Sequence, residues 1–154
     1  MLRRMIVEQL FFAPPGAAQR NAERLQLQAG AGIVGDRYHG ARDEPGQNLT
    51  LVQAEALEAY AALQGRPVDW GVTRRNVIVR GGDLNALVGR EFQLGAVRLR
   101  GVEPCHPCLG LGQALADDQR RPADVVAWWL HRGGLRCDVL NDAELALGDA
   151  LNPD

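Results

Sequence analysis

The sequence predicts a mainly β, barrel-like domain, with a largely antiparallel sheet and two or three peripheral helices. Two observations support this class, and a third gives the number of domains. The apolar runs are short and mostly bounded by glycine or proline. Strands do not alternate regularly with helices, which disfavours a doubly wound parallel sheet. The chain has 154 residues, the usual length of one domain, so residues 1–154 are expected to form a single domain.

In the first half of the chain, the period of the apolar residues separates strands from helices. Leu25 and Leu27 alternate with polar neighbours, as in a half-buried strand. Leu57, Tyr60 and Leu63 recur at helical spacing within an alanine-rich stretch. The predicted elements are, in order, strands over residues 5–12, 23–28 and 47–52, a helix over residues 54–63 and a strand over residues 76–80.

In the second half, glycine and proline mark the ends of the elements. Gly95 separates two β-prone runs and predicts a hairpin, whereas Pro122 and Gly133-Gly134 bound a helix that contains Trp128-Trp129. The predicted elements are a short helical turn over residues 84–88, hairpin strands over 91–94 and 96–102, a helix over 122–132 and a closing strand pair over 135–140 and 144–147.

The charged residues exclude several function classes. There are 17 basic and 19 acidic residues, a net charge of −2, which argues against nucleic-acid binding through bulk charge. All 17 basic residues are arginine, because the chain contains no lysine. The chain therefore cannot form a pyridoxal-phosphate Schiff base, and it cannot supply the lysine of a P-loop nucleotidase.

The sequence also carries expectations about the compartment. No run of about 18 apolar residues exists, so no membrane span is expected. Glu8 and Gln9 interrupt the first apolar run, which is read as a strand rather than a signal peptide. The three cysteines are an odd number, and we expect reduced thiols in a cytoplasmic protein.

Residues 30–35 read G-A-G-I-V-G, which matches the dinucleotide-binding pattern G-x-G-x-x-G. That pattern requires a helix to begin at the glycines, so that its N-terminus faces the pyrophosphate. The polar segment that follows does not have the apolar face of a helix. We therefore expect a glycine-rich loop that presents Asp36, Arg37 and His39.

The segment Cys105-His106-Pro107-Cys108 allows several interpretations. It can be half of a structural zinc site, but no second C-x-x-C is present. It can be a thioredoxin-like redox pair, but the expected βαβ context is missing. It can carry one functional thiolate, which is a soft metal ligand and can also accept sulfur. Alternatively, both cysteines can be small buried side chains in a turn. The functional thiolate is favoured, and Cys137, in an apolar strand, is expected in the core.

Several arginines are predicted to lie where strands and helices end. Arg74 and Arg75 precede a predicted strand, Arg132 lies where a predicted helix ends, and Arg136 follows it. Each arginine by itself is explained as a solvated surface charge or as a cation that interacts favourably with a helix C-terminus. Together they favour a pocket for an anion near Cys108, because the guanidinium group pairs well with phosphate and carboxylate.

Taken together, the motifs resemble the MOSC domain, which is found at the C-terminus of molybdenum-cofactor sulfurases and as stand-alone bacterial proteins. The resemblance runs from about Leu25 to Leu151. It rests on the order and spacing of the segments 35–39, 48–53, 74–77, 82–89, 104–108, 131–136 and 147–149.

The resemblance implies binding of a molybdenum–pterin cofactor (molybdopterin) or another phosphorylated small molecule, or handling of sulfur for a metal centre. The family's key cysteine corresponds to Cys108, as molybdenum ligand or persulfide carrier, with Cys105 as its neighbour. The implied cofactor-binding residues are Asp36, Arg37, His39, Arg74, Arg75, Asn76, Asp83, Asn85, His131, Arg132 and Arg136.

The same resemblance implies partner proteins. The sequence has no aminotransferase-like or ferredoxin segment, so a separate sulfur donor or electron donor is expected. Two functions follow: a carrier of molybdenum cofactor or persulfide sulfur, and alternatively a molybdenum-dependent oxidoreductase that reduces N-hydroxylated compounds. No nucleic-acid or membrane partner is expected.

Overall fold

A curled, mainly antiparallel sheet forms the centre of the protein in a computed structural model that describes residues 3–41 and 44–152. The strands of these residues are β1 (Met5–Phe12), β2 (Arg20–Ala22), β3 (Arg24–Gln28), β4 (Gly32–Ile33), β5 (Leu49–Gln53), β6 (Val77–Gly81), β7 (Glu91–Leu94), β8 (Val97–Pro104), β9 (Leu135–Val139), β10 (Ala143–Ala146) and β11 (Ala150–Leu151). The helices are α1 (Ala54–Gln64), α2 (Leu109–Leu115) and α3 (Pro122–Trp129), with one 3-10 turn over Leu84–Leu87.

The large sheet has the strand order β11-β1-β6-β5-β9-β8-β7, with β2 added beside β1. Its named strand pairs are antiparallel except β5 and β6, which are parallel and are joined through α1. A parallel pair needs such a crossover. The amide of Gly95, at the β7–β8 turn, donates to the carbonyl of Ala150 in β11, so the two edges of the sheet approach each other. The predicted mainly β, barrel-like class is confirmed.

Two apolar cores lie on opposite faces of the central strands. Val77 and Val79 of β6 pack in the core enclosed by the curled sheet, whereas Ile78 between them packs against the helices. This follows from the two-residue period of a strand, and both faces are buried, so β6 is a continuous apolar run. Tyr60 of α1 and Trp129 of α3 are fully buried in the helical core.

The largest difference from the predicted elements is α2. Its segment contains Gly110 and Gly112, which have poor helix propensity, so the sequence does not predict a helix there. A Cβ on Gly112 would lie 2.7 Å from the carbonyl oxygen of Pro122, so this glycine lets α2 pack closely on α3. Tertiary packing stabilises this helix despite its weak propensity.

Other differences concern short elements and ends. The predicted strands omit β2, β4 and β11, and α3 ends at Trp129 rather than at residue 132. His131 has a left-handed φ of 68°, which is incompatible with continuing the helix. Within the described ranges, no helix is both long and apolar enough to cross a membrane.

Candidate functional site

A cleft opens where the starts of β5 and β6 meet the loops before β5 and after β8. Its larger hollow, of about 500 Å³, is lined by Tyr38, Ala41, Gly46, Gln47, Thr50, Pro104, Cys105, His106 and Arg136. Its smaller hollow, of about 110 Å³, is lined by Ala13, Gln19, Asp36, Arg37, Tyr38, Gln47, Asn48, Thr50, Arg74 and Asn76. Tyr38, Gln47 and Thr50 line both hollows, so we treat the two as one cleft.

Thr50 and Asn76 form the floor of the smaller hollow. The hydroxyl and amide of Thr50 both donate to Oδ1 of Asn76, at 3.0 and 3.1 Å, and the amide of Asn76 donates to Thr50 Oγ1 at 3.1 Å. The side-chain amide of Asn76 also donates to the carbonyl of Phe11. Asn76 therefore joins the ends of β1, β5 and β6 and fixes the shape of the floor.

Arg74 stands beside this floor in an unusual backbone conformation. Its φ is +60°, in the left-handed region that non-glycine residues seldom adopt. The side chain is exposed, and its guanidinium has no hydrogen bond or ion pair with any residue of the described part of the chain. The cleft thus presents the guanidinium of Arg74, without a hydrogen-bond partner, at its smaller end.

Arg136, in β9, lines the larger hollow and also holds its wall. Its Nε donates to the carbonyl of Gly46 at 3.3 Å, and its Nη1 pairs with Glu103 at 3.1 Å. The amide of Gly46 donates to the carboxylate of Asp138 at 2.7 Å. Gly46 is therefore fixed from both sides, while Nη2 of Arg136 has no hydrogen bond within residues 3–41 and 44–152.

The segment 36–38 forms the opposite side of the cleft. Asp36 accepts hydrogen bonds from the amides of Ala13 and Tyr38, so its carboxylate shapes the loop. Arg37 stacks on the ring of Tyr38, 4.9 Å from the guanidinium carbon to the ring centroid. Tyr38 is 59% exposed and lines both hollows.

The three thiols occupy three different environments. Cys105 is half-buried and lines the larger hollow, whereas Cys108 is exposed and lies at the N-cap of α2, outside the cleft lining. Burial raises the pKa of the Cys105 thiol, and the positive charges of Arg75 and Arg136 oppose that rise. Cys137 is fully buried, as predicted, and burial raises the pKa of its thiol well above the usual range.

The structure changes the role expected for Arg75. Its guanidinium is buried and donates to the carbonyls of Gly133 and Thr73, both at 2.9 Å, and to those of Cys105 and His106 at 3.5 Å. The donors of Arg75 that were expected to bind an anion are thus committed to main-chain oxygens, and Arg75 does not line the cleft.

The remaining predicted residues lie outside the cleft lining. His39 contacts the Gln28 side chain, and Asp83 caps the 3-10 turn by accepting from the Asn85 amide. The Asn85 side chain donates to the carbonyl of His131, and Arg132 stacks on Trp128 and donates to its carbonyl. The expected ring of four arginines around one site is not formed: Arg74 and Arg136 reach the cleft, but Arg75 and Arg132 do not line it.

Some lining residues were not predicted as site residues. They are Gln19, Tyr38, Gln47, Asn48, Thr50 and, beside Cys105, His106. The available signal was their position, because polar residues at the ends of apolar strands gather at one edge of a sheet. No three side chains among the described His, Cys, Asp and Glu residues converge to hold a bare metal ion.

Several solved structures have the same fold as this chain. YuaD from Bacillus subtilis is similar to this chain with a TM-score of 0.82 at 22% identity, covering 97% of this chain and 96% of that one. YiiM from Geobacillus stearothermophilus has a TM-score of 0.70 at 13% identity, covering 97% and 75% of the two chains. YiiM from Escherichia coli has a TM-score of 0.65 at 16% identity, covering 100% and 70%.

No curated protein matches the chain by sequence. The family model described as "MOSC domain" matches residues 35–152, which include both sides of the cleft and all three cysteines. The resemblance seen in the motifs is confirmed over more than half of the chain, and the protein belongs to the MOSC domain family.

Proposed function

We propose that the cleft binds the molybdenum–pterin cofactor and that residues 1–154 act as a single carrier domain for this cofactor or for sulfur destined for it. The observation that supports this best is the composition of one cleft. It combines the exposed guanidinium of Arg74, the partly uncommitted guanidinium of Arg136 and the half-buried thiol of Cys105. A phosphate can pair with the guanidinium groups there, and a transition metal can bind the thiolate.

The smaller hollow suits the phosphate. A hollow of about 110 Å³ that is lined by Arg74 and Arg37 offers two guanidinium groups, and both oxygens of the Asp36 carboxylate in the same lining already accept from backbone amides. The left-handed backbone of Arg74 supports this assignment. Holding a non-glycine residue there costs about 1–2 kcal/mol, and such strain is found most often at functional positions.

The larger hollow suits a planar heterocycle. Its volume of about 500 Å³ lies within the range of about 300–1,000 Å³ that is usual for small-molecule sites. Tyr38 offers an exposed aromatic face, and Pro104 adds apolar surface on another side. The pterin would lie in this hollow, with its phosphate toward Arg74.

The donor set also fits molybdenum. The cofactor brings its own dithiolene sulfurs, so the protein needs to supply few ligands, and a cysteine thiolate is a further sulfur ligand for a transition metal. Cys105 is the thiol in the cleft lining, so we assign the ligand role to it rather than to Cys108. When bound, the cofactor would supply two-electron and sulfur- or oxygen-transfer chemistry at the metal. Arg136 and Arg75 would favour the thiolate form of Cys105, because their charges oppose the effect of burial on its pKa.

Exposed Cys108 suits the exchange of sulfur with a partner protein. Its thiolate would attack the outer sulfur of a donor persulfide, form a new S–S bond and release the donor as a thiolate. The outer sulfur moves intact, so the transfer requires no external oxidant or reductant. The side chain is exposed at the start of α2, where a donor protein can reach it.

Cofactor binding is tested by purifying the protein from a molybdenum-replete host and measuring molybdenum and oxidised pterin per chain. We expect both in the native protein and a loss of about tenfold or more in Arg136→Gln, since one charge-assisted hydrogen bond from Nη2 of Arg136 to the cofactor in the larger hollow would be worth about 1.5–3 kcal/mol. Arg120→Gln is the control, because Arg120 also donates to a main-chain carbonyl, that of Leu63, but does not line the cleft. Equal contents in both variants would contradict the assignment.

Sulfur transfer is tested by incubation with a persulfide donor and measurement of labile sulfur. We expect Cys108→Ser to abolish loading and Cys137→Ser to leave it unchanged, because Cys137 is buried.

The presence of a thiol inside the cleft also favours a second candidate, a reductase of N-hydroxylated compounds. Turnover of an N-hydroxylated base with an added electron donor, lost in Cys105→Ser, would establish that function instead of a carrier.

A further inference from the structure

A buried arginine connects the cysteine loop to the loop that follows α3. Arg75 donates to Gly133 on one side and to Cys105 and His106 on the other, and its Nη1 donates to Thr73 in its own loop. None of the ion pairs found in the described residues includes Arg75. A buried arginine is usually paired with a carboxylate. Here main-chain carbonyl oxygens replace the carboxylate as the partners of Arg75.

The backbones of the same two loops are also in direct contact with each other. The amide of Cys105 donates to the carbonyl of Gly134 at 2.8 Å. A Cβ on Gly133 would lie 2.1 Å from the carbonyl oxygen of Cys105 and 3.4 Å from Nη2 of Arg75. Only glycine allows this approach, and the approach brings the two carbonyls within reach of one guanidinium.

We propose that Arg75 is a positioning residue that fixes the Cys105 thiol at the wall of the cleft, rather than an anion ligand. Its planar group, with five donors, spans carbonyls from three segments, which a lysine ammonium cannot do in the same geometry. The purpose of this arrangement rests on the proposed function, in which Cys105 is a ligand, but the arrangement itself is testable without cofactor.

The experiment is alkylation of the folded, cofactor-free protein with iodoacetamide, followed by mass spectrometry of each cysteine. The variant is Arg75→Lys, which keeps the positive charge, so that a change in rate reports position rather than charge. Exposed Cys108 calibrates the reagent, and buried Cys137 reports global unfolding. Arg120→Lys is the matched control, since it removes an arginine-to-carbonyl contact away from the cleft.

We expect the rate at Cys105, relative to Cys108, to rise about tenfold in Arg75→Lys, because loss of one charge-assisted hydrogen bond changes a local opening equilibrium by at least that factor. Cys137 should stay unmodified, and Arg120→Lys should behave like the native protein. An unchanged rate at Cys105 would overturn the proposal. Equal acceleration at Cys137 would overturn it as well, because Arg75 would then hold the whole fold rather than one loop.

Gly133→Ala provides a second, independent variant. The added methyl group must displace the Cys105 carbonyl, so it should accelerate alkylation of Cys105 without a change in charge. A native rate at Cys105 in this variant would refute the role of the close loop packing. Failure of cofactor binding in the experiments above would leave these rates unaffected, so the two proposals fail separately.

Discussion

Replacing Arg74 by glycine should separate the stability of the protein from its affinity for anions. Arg74 has φ +60°, a conformation that costs a non-glycine residue about 1–2 kcal/mol. Glycine adopts it freely but loses more backbone entropy on folding, which is worth about 0.5–1 kcal/mol. The difference is a net gain of about 0.5–1 kcal/mol, and at roughly 2–4 °C per kcal/mol for a domain of this size the Tm should rise by a few degrees.

The same change should weaken anion binding. The guanidinium of Arg74 is exposed at the smaller hollow, and a charge-assisted contact to phosphate is worth about 1.5–3 kcal/mol, or roughly ten- to a hundredfold in affinity. The assay is thermal melting at increasing concentrations of inorganic phosphate. We expect Arg74→Gly to melt above the native protein without phosphate and to show a smaller rise in Tm when phosphate is added.

His131→Gly is the matched control. His131 is the other non-glycine residue with positive φ in the described ranges, at +68°, and it lies outside the cleft lining. The His131→Gly variant should gain similar stability, and its Tm should rise on addition of phosphate as much as that of the native protein. A lower Tm for Arg74→Gly in the absence of phosphate would refute the strain argument, and an undiminished effect of phosphate would refute the anion-binding role.

Three further outcomes are expected. Limiting iodoacetamide should label Cys108 before Cys137 even at raised pH, because Cys137 is fully buried and burial raises its pKa; the reverse order would contradict the assignment of these environments. Titration with NAD or FAD should show no saturable binding, since residues 30–35 contain β4 instead of a helix N-terminus. Gly134→Ala should destabilise the fold by about 3 kcal/mol or more, because its Cβ would lie 1.8 Å from a backbone oxygen, whereas Gly110→Ala should fold normally.

Much of the fold is encoded locally and was predicted correctly. The two-residue period of Leu25 and Leu27 and the helical spacing of Leu57, Tyr60 and Leu63 correspond to β3 and α1. The first four of these side chains are buried, whereas Leu63, near the end of α1, is exposed. Gly95 lies at the turn of the predicted hairpin. These patterns are local, because a strand or a helix must place its apolar residues on the face that packs on the core.

The short elements were not predictable in the same way. β4 and β11 have two residues each, too few to show a period, and exist because β3 and β1 offer them hydrogen bonds. The helix α2 depends on the close approach of Gly112 to Pro122, a contact that its own glycine-rich sequence does not reveal.

The sequence by itself determined the family, the mainly β class, the absence of lysine chemistry and the set of residues from which a site can be built. Only the tertiary structure decided which members of that set share one cleft. Cys105 and Cys108 have the same chemistry and are three residues apart, yet Cys105 lines the cleft and Cys108 lies outside it. Arg74 and Arg75 are adjacent, yet the first is exposed and the second is committed to carbonyls. The physical reason is that the partners deciding each orientation, such as Gly133 for Arg75, lie far away along the chain and become neighbours only when the sheet has formed.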